Sequence, residues 1–354
     1  MKFMSGLKLN SRYYAEVIRP LLTEFDPTLR YSAALIGYGS DVLGFDNATS
    51  MDHNWGPRMQ VFLDRADAVR IPEIDAYLRR HLPGEFFGFS TNFSEKRGDK
   101  TQIMCPQSGP EVNHLIELCV LEDYFSEFIG KLPGELTNID WLCIPEQRLV
   151  ELTAGHVFYD GLEKLDDYRS ALRYYPHDVK LTKLAAYWQC VANEEAFIGR
   201  GVEFGDLLHV KLVSTRIVNS LLKICFVLKE EYVPYSKWFS RAFDHLNLPL
   251  VKTTALRVLH ANDPAEIEEH WAELCTLVLE LQNHTPGLPA VTNEIGNFYN
   301  RPYKVIMADG IVDVLRSAIV DKELRALDLT LVGLDNKNDA VDFTNDDYLG
   351  KIIR

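Results

Sequence analysis

Residues 35–58 read LIGYGSDVLGFDNATSMDHNWGPR, and this stretch decides the fold. The apolar residues that begin this stretch are the last residues of a predicted strand, and the chain turns after them at Gly39 and Ser40. Eleven residues separate Ser40 from Asp52, and a second alternating strand is predicted from Arg58 onward. A glycine at a strand end lets a ligand approach the backbone closely, so this turn is the first candidate for a binding site.

Three familiar motifs do not fit this stretch. The dinucleotide fingerprint requires a third glycine where the chain has Val42. The nucleophile elbow requires one residue between its first glycine and its serine, whereas Ser40 follows Gly39 directly. A phosphate loop ends in Gly-Lys-Ser or Gly-Lys-Thr, and the stretch contains no lysine.

A strand that ends in Gly-Ser, followed by Asp-x-Asp on the next strand, is typical of the nucleotidyltransferase (polymerase-beta-like) superfamily, and this chain resembles it. The resemblance implies that Gly39 and Ser40 hold a triphosphate through the backbone and the hydroxyl group. Asp52 and Asn54 are two residues apart and would share one strand face. With Glu117 they would hold magnesium, or manganese in its place, which activates the attacking hydroxyl and stabilises the departing pyrophosphate. Asp52 and Glu117 are the expected catalytic residues.

The expected metal site departs from the superfamily motif at Asn54. An amide oxygen lacks the charge and the second oxygen that suit the bridging of two ions. Glu117 lies between apolar neighbours in a strand predicted over residues 114–120. It either supplies the third carboxylate or faces solvent on an edge strand, and Asp140 is the weaker candidate for that role.

A narrower resemblance covers most of the chain. It is to a family of predicted nucleotidyltransferases that is known only as a domain of unknown function. The segments that carry it are VLGFD (42–46), DHNWGPR (52–58), EEAFIGR (194–200), Gly205-Asp206, YVPYSKWF (232–239) and Asn300-Arg301-Pro302-Tyr303. The family pattern has Asp where this chain has Asn54, so the departure falls on an expected metal ligand.

The element pattern predicts an α+β fold in two domains. Residues 1–153 mix strands and helices, which favours a nucleotidyltransferase-like mixed sheet with flanking helices. Residues 154–354 are mostly helical and would close the cleft, ending in a polar tail over residues 335–347. The predicted strands cover residues 31–37, 58–63, 86–93 and 114–120, and the predicted helices cover residues 13–25, 71–81, 179–199, 207–230, 237–246, 264–283 and 308–326.

Four basic side chains are candidates for phosphate contacts. In antibiotic-modifying members of the superfamily, a helical domain presents basic residues to the nucleotide. Arg216 and Lys223 lie on one face of a predicted helix, together with Asn219, and Lys237 lies beyond it. Either these side chains and Arg58 meet phosphates, or the lysines form a solvated face and Arg58 pairs with Asp46.

Two adjacent acids in the EEAFIGR segment have two interpretations. Glu194 and Glu195 precede Arg200 by six and five residues. They form a structural ion pair with Arg200 or serve as a base, and we favour the ion pair.

Composition limits the function classes. The 354 residues include 37 Lys plus Arg against 51 Asp plus Glu, which gives a net charge of −14. Nucleic-acid binding depends on Lys and Arg, so this balance counts against generic DNA or RNA binding while leaving room for one local nucleotide pocket. The six Cys form no C-x-x-C pair, which favours reduced thiols in a cytosolic protein. No apolar run is long enough to span a membrane.

Two functions follow as hypotheses. The first is a nucleotidyltransferase that uses ATP or another nucleoside triphosphate and modifies a hydroxyl of a small molecule or a protein. The second is a pseudoenzyme that binds nucleotide or a partner without turnover, and Asn54 is the residue that motivates it.

Overall fold

The computed structural model describes residues 3–98, 101–337 and 348–354. The chain divides into two compact units. The first unit contains the described residues of Met1–Leu136 and Arg148–Arg173, and the second contains those of Thr137–Gln147 and Tyr174–Arg354. The boundary predicted after residue 153 therefore falls inside the first unit, because a strand that follows it belongs to the sheet of that unit.

The first unit combines a mixed sheet with helices. Its strands are β1 Tyr31–Leu35, β2 Arg58–Leu63, β3 Glu85–Phe86, β4 Phe89–Ser90, β5 Leu115–Val120 and β6 His156–Asp160. Its helices are α1 Gly6–Tyr13, α2 Arg19–Phe25, α3 Ile71–His81, α4 Leu121–Ile129 and α7 Leu165–Ala171, and helix α6 Glu146–Thr153 contributes its residues from Arg148 onward. A π-helical turn, Tyr14–Ile18, connects α1 to α2.

The main sheet has four strands in the order β5-β2-β1-β6. Strand β1 pairs antiparallel with both β2 and β6, whereas β2 and β5 are parallel. The register places Gln60 opposite Ala34 on one side and opposite Glu117 on the other. The carboxyl end of β1 therefore lies beside the beginning of β2, which positions the loop after β1 near the side chains that start β2.

Alternation along the strands separates a core face from a polar face. Ala33, Met59, Val61 and Ile116 pack with the helices in one hydrophobic core. The alternate positions on β2 and β5 carry Arg58, Gln60 and Glu117, which lie on the opposite face of the sheet. This polar face holds the candidate site.

The second unit is mostly helical. Its helices are α5 Asn138–Cys143, α8 His177–Phe204, α9 Leu207–Leu228, α10 Ser236–His245, α11 Pro249–His260, α12 Pro264–Asn283, α13 Ala308–Ala318, α14 Lys322–Ala326, α15 Leu334–Lys337 and α16 Tyr348–Ile353. One hairpin, β7 Gly296–Phe298 and β8 Arg301–Val305, packs against α8. Burial of apolar side chains along α8 and α9 forms the centre of this unit.

The predicted α+β fold class is confirmed, and the differences have local causes. The strand predicted over residues 86–93 is a tight hairpin, because Phe87 and Gly88 both have positive φ, as two-residue hairpin turns require. Strand β6 was not predicted. In the predicted polar tail, Asp335 and Asn336 are buried in the second unit, and residues 338–347 lie outside the described residues.

None of the described helices is both long and apolar enough to cross a membrane. The six cysteines are free thiols, of which Cys143, Cys225 and Cys275 are buried.

Candidate functional site

The loop after β1 is shaped by two glycines. Gly37 has φ +83° and Gly39 has φ +131°, backbone conformations that residues with a side chain rarely adopt. A Cβ atom on Gly37 would overlap the hydroxyl of Tyr124, and one on Gly39 would overlap Asp41 and Arg58. The loop therefore lies directly on these side chains, and only glycine fits at both positions.

Asp41 and Arg58 form a buried ion pair beneath this loop. Asp41 is 1% exposed and Arg58 is 3% exposed. Arg58 donates from Nε to Asp41 Oδ2 at 3.1 Å and from Nη2 to Asp41 Oδ1 at 2.8 Å. Burial acts to lower the pKa of Arg58, but the charge and hydrogen bonds of Asp41 outweigh it and hold that pKa above its ordinary value. The guanidinium of Arg58 is therefore charged, and its two hydrogen bonds to Asp41 fix its geometry.

Arg58 also holds the loop itself. Its Nη2 donates to the backbone oxygen of Tyr38 at 2.8 Å, and its guanidinium lies 5.2 Å from the centre of the Tyr38 ring. The predicted alternative partner, Asp46, instead accepts from the backbone N–H of Gly6 at 2.7 Å and from Trp55 Nε1 at 3.0 Å. The pairing of Arg58 with Asp46 is thus wrong, and Asp41 takes that place.

Four donors on the loop are available to a ligand, three backbone N–H groups and one hydroxyl. Hydrogen bonds within the described residues leave the backbone N–H groups of Tyr38, Gly39 and Ser40 without an acceptor. The Ser40 hydroxyl likewise has no partner in that part of the chain. Successive N–H groups in a glycine-rich turn form the kind of concavity that binds anions. The predicted role of Gly39 and Ser40 in phosphate binding is compatible with this arrangement and stays a prediction.

Asp52 and Asn54 do not lie on a strand. Strand β2 begins at Arg58, so both residues precede it in an irregular segment, and the expected shared strand face is wrong. The Asp52 side chain is 64% exposed and lies 3.0 Å from His53 Nδ1. Since Gly56 and Pro57 interrupt the approach to β2, alternation cannot extend back to residue 52.

The Asn54 side chain already has a partner. Its Oδ1 accepts from the backbone N–H of Gln102 at 2.8 Å, and the backbone N–H of Asn54 donates to the backbone oxygen of Gln102 at 2.7 Å. Asn54 adopts φ +47°, a left-handed conformation that asparagine tolerates better than most residues. The amide oxygen expected to bind a metal is thus already bonded to the backbone of a segment 48 residues away.

Glu117 reaches the polar face of the sheet. Gln60, its neighbour on β2, donates from Nε2 to Glu117 Oε2 at 3.3 Å and accepts from the N–H of Ile36 at 3.1 Å. Burial raises the pKa of Tyr124, and the charge of Glu117 adds to that shift. Burial also raises the pKa of Tyr38, while Arg58 lowers it and Glu117 raises it. The carboxylate of Glu117 therefore acts on the same tyrosines that line the glycine loop.

A divalent metal ion does not fit the predicted ligands. Within the described ranges, no group of three or more His, Cys, Asp or Glu residues is placed to hold an ion. Asn54 Oδ1 is used by a backbone N–H, and Asp52 lies in an exposed segment with His53. The two polar positions that begin β2 are Arg58 and Gln60, which bring a positive charge and an amide where a metal needs carboxylates.

Two of the predicted basic contacts in the second unit have other partners. Arg216 forms an ion pair with Glu194 at 2.8 Å. Lys223 is 3% exposed and donates to the backbone oxygen of Asn336, so the predicted phosphate contact of Lys223 is wrong. Lys237 is exposed and lies 4.9 Å from the ring centre of Trp238.

The acids of the EEAFIGR segment do not pair with Arg200. Glu194 binds Arg216, and Glu195, also on α8, is buried against the start of α13. Glu195 accepts from the N–H of Ile306 at 2.8 Å and from that of Ala308 at 2.9 Å. Burial raises the pKa of Glu195 to about 7, although these N–H groups oppose the shift.

The weaker candidate for a third carboxylate lies outside the site. Asp140 belongs to α5 of the second unit, where it accepts from Thr137 and from Arg354. Its hydrogen bonds are those of a helix-capping residue.

Sequence reasoning missed Asp41, Gln60, Tyr38 and Tyr124. The signal that was available for Gln60 is its two-residue spacing from Arg58 in a strand that alternates, which puts both on one face. Asp41 follows Ser40 directly and gave no such signal, because the partner that buries it lies 17 residues away in the sequence.

An α+β protein with a glycine-serine loop at the end of a strand is the class that this geometry defines. Residues 141–239 match a family described as a domain of unknown function (DUF4037). The predicted resemblance to such a family is confirmed over that segment, which contains EEAFIGR and YVPYSKWF.

Among solved structures, the chain is similar to a nucleotidyltransferase-like protein from Exiguobacterium sibiricum. The similarity covers 78% of this chain and 76% of that chain, with 11% sequence identity and a TM-score of 0.34. No curated protein matches the chain.

Proposed function

We propose that this nucleotidyltransferase-like chain binds the phosphate groups of a nucleoside triphosphate, such as ATP, at the Gly37–Ser40 loop and does not transfer the nucleotidyl group. The observation that carries the proposal is the set of donors on this loop. Three successive N–H groups, of Tyr38, Gly39 and Ser40, and the Ser40 hydroxyl lack partners in the described part of the chain. Such a set suits the oxygens of a phosphate, and charge-assisted hydrogen bonds to them are the strong kind.

The lack of transfer is proposed from the residues that would have to bind the metal ions. Nucleotidyl transfer by the superfamily mechanism needs carboxylates that hold magnesium on both sides of the reacting phosphate. Asn54 is engaged by Gln102, and β2 begins with Arg58 and Gln60. On that face, β5 offers the carboxylate of Glu117, which accepts a hydrogen bond from Gln60.

Transfer to a hydroxyl of a small molecule or a protein is the second candidate. The resemblance to the superfamily favours it, together with the exposed carboxylate of Glu117 on β5, a group of the kind that accepts a proton from an attacking hydroxyl. The acceptor has no support in the geometry.

Titration calorimetry with ATP tests the binding. The wild-type chain is expected to bind, and Gly39→Ala is expected to lower the affinity at least tenfold, because a methyl group there overlaps Asp41 and Arg58 and shifts the loop. Gly44→Ala is the matched control. Gly44 also has positive φ, +71°, but no atom lies within 4 Å of its added Cβ, so affinity should stay within about threefold.

Incubation with a triphosphate labelled at the α-phosphate, together with pooled hydroxyl acceptors, tests the lack of turnover. Label that stays in the triphosphate supports the proposal. Covalent transfer by the wild-type chain contradicts it and favours the second candidate. Failure of ATP and of the other common triphosphates to bind at millimolar concentration contradicts both.

A further inference from the structure

We propose that Arg58, held by Asp41, positions the Tyr38–Gly39 peptide group so that the loop binds a polyphosphate without a divalent metal ion. This inference rests on the proposed phosphate binding and concerns how that binding is achieved. It follows from the disagreement between the expected metal ligands and the residues found at the start of β2.

The first step is the direction of one peptide group. The described peptide bonds are all trans, so the C=O of Tyr38 and the N–H of Gly39 point in opposite directions. Arg58 Nη2 donates to that C=O at 2.8 Å. The N–H of Gly39 therefore points away from the guanidinium, and Arg58 acts on a ligand through the peptide group and not by touching it.

The second step is electrostatic. A guanidinium that donates to the C=O polarises the peptide, which strengthens the N–H on its far side as a donor. The positive charge of Arg58 lies on the C=O side of this peptide group, and the N–H side faces away from it. Water is excluded from the guanidinium because Arg58 is 3% exposed. At low local dielectric such a charge is weakly screened. Because Asp41 balances this charge, the ligand meets the polarised and oriented N–H of Gly39 and not a net positive charge.

The third step is the role of Asp41. A lone buried guanidinium is costly, and the two hydrogen bonds to Asp41 fix both its charge and its plane. Gly39 completes the arrangement, because any Cβ atom there would displace this pair. Arg58 and Asp41 are therefore positioning residues, and the donors that meet the ligand are those of the loop.

The decisive measurement uses the wild-type chain. Calorimetry with ATP and with inorganic tripolyphosphate is carried out in EDTA and again in excess magnesium. We expect the Kd in EDTA to be within threefold of the value in magnesium. A loss of tenfold or more in EDTA would overturn the inference while leaving the proposed nucleotide binding intact. Absence of binding in both conditions would overturn the inference and the proposed function together.

A pair of variants tests Arg58 itself. Asp41→Leu with Arg58→Met replaces the ion pair by apolar side chains, which keeps the interior filled and free of lone charges. Circular dichroism and the Tm verify that it is folded. The folded double variant is expected to bind ATP at least tenfold more weakly than wild type, whereas Asp123→Leu with Arg65→Met, an exposed ion pair, should bind like wild type.

A conservative variant of Arg58 distinguishes a role in positioning the Tyr38–Gly39 peptide group from a role in stabilising the fold. Arg58→Lys keeps a charge that can donate to Tyr38 O but cannot pair with both oxygens of Asp41. It should recover part of the affinity that the double variant loses. A folded double variant that binds ATP as wild type does would overturn the inference, as would an Arg58→Lys variant no better than the double variant.

Discussion

Asp41 and Asp52 lie eleven residues apart in one segment, and their surroundings are opposite. Asp41 is 1% exposed and makes two hydrogen bonds to a buried arginine. The Asp52 side chain is 64% exposed and lies beside His53. Motif spacing points to Asp52, whereas packing selects Asp41. The comparison teaches that spacing finds acids along a chain, while burial and a fixed partner decide which of them is positioned to act.

The largest expected effect comes from breaking the buried pair. Arg58→Met leaves Asp41 buried without a cation, and we expect it to lower the free energy of unfolding by about 3–5 kcal/mol. Urea denaturation followed by circular dichroism measures the change. The double variant Asp41→Leu, Arg58→Met should recover most of that loss.

The control for that prediction is an exposed ion pair of the same type. The Arg65 and Asp123 side chains are 62% and 52% exposed, and Arg65→Met should leave the urea midpoint unchanged. Equal losses in the two single variants would contradict the contrast between buried and exposed pairs.

A third carboxylate sharpens the comparison. Glu195 is buried like Asp41, but its hydrogen bonds come from the backbone N–H groups of Ile306 and Ala308 and not from a cation. Burial raises its folded pKa to about 7 from an ordinary value of 4.5. The folded state then binds the proton more tightly, so this contribution to stability is full below pH 4.5 and is lost as the pH rises to 7. The loss amounts to about 3 kcal/mol.

Unfolding free energies of wild type and Glu195→Gln, measured between pH 4.5 and pH 8, test whether the contribution of Glu195 to stability falls as the pH rises. The variant carries a neutral side chain throughout, so the difference between the two proteins isolates Glu195 from the other acids. We expect wild type to lose stability relative to the variant as the pH rises. A difference that stays constant over this range would show that Glu195 has the same pKa in both states.

The smallest effect is expected at Asp52. Asp52→Ala removes an exposed side chain that contacts its neighbour His53, and the free energy of unfolding should change by less than about 0.5 kcal/mol. Its affinity for ATP should equal that of wild type. If the variant loses ATP binding, Asp52 belongs to the site and the contrast with Asp41 is wrong. The same holds if the wild-type chain transfers label and the variant does not.

Much of the first unit could be predicted from local patterns. Strands over residues 58–63 and 114–120 and the helix over residues 71–81 agree with β2, β5 and α3 within a residue at either end. Each of these elements is either an apolar run or a regular alternation, so its own sequence determines it. Strand β6 lacked such a pattern, because it is a half-buried edge strand whose partner, β1, lies more than 120 residues earlier.

The site could be predicted only in part, for a physical reason. Gly37, Gly39 and Ser40 were found because a strand end that runs into glycine is a local signal. The partner of Arg58 was missed because Asp41 and Asp46 are both plausible by spacing, and only the fold decides between them. The position of Asp52 was misjudged because strand alternation was extended back across Gly56 and Pro57.

The burial of the Asp41–Arg58 pair has a consequence for how this sequence can change over generations. Loss of either partner alone strands a charge in the interior, whereas replacement of both is tolerated. Descendant sequences should therefore exchange the ion pair for an apolar pair rarely, and both positions should change at nearly the same time. Positions 41 and 58 are expected to covary across relatives, while position 52 drifts independently of both.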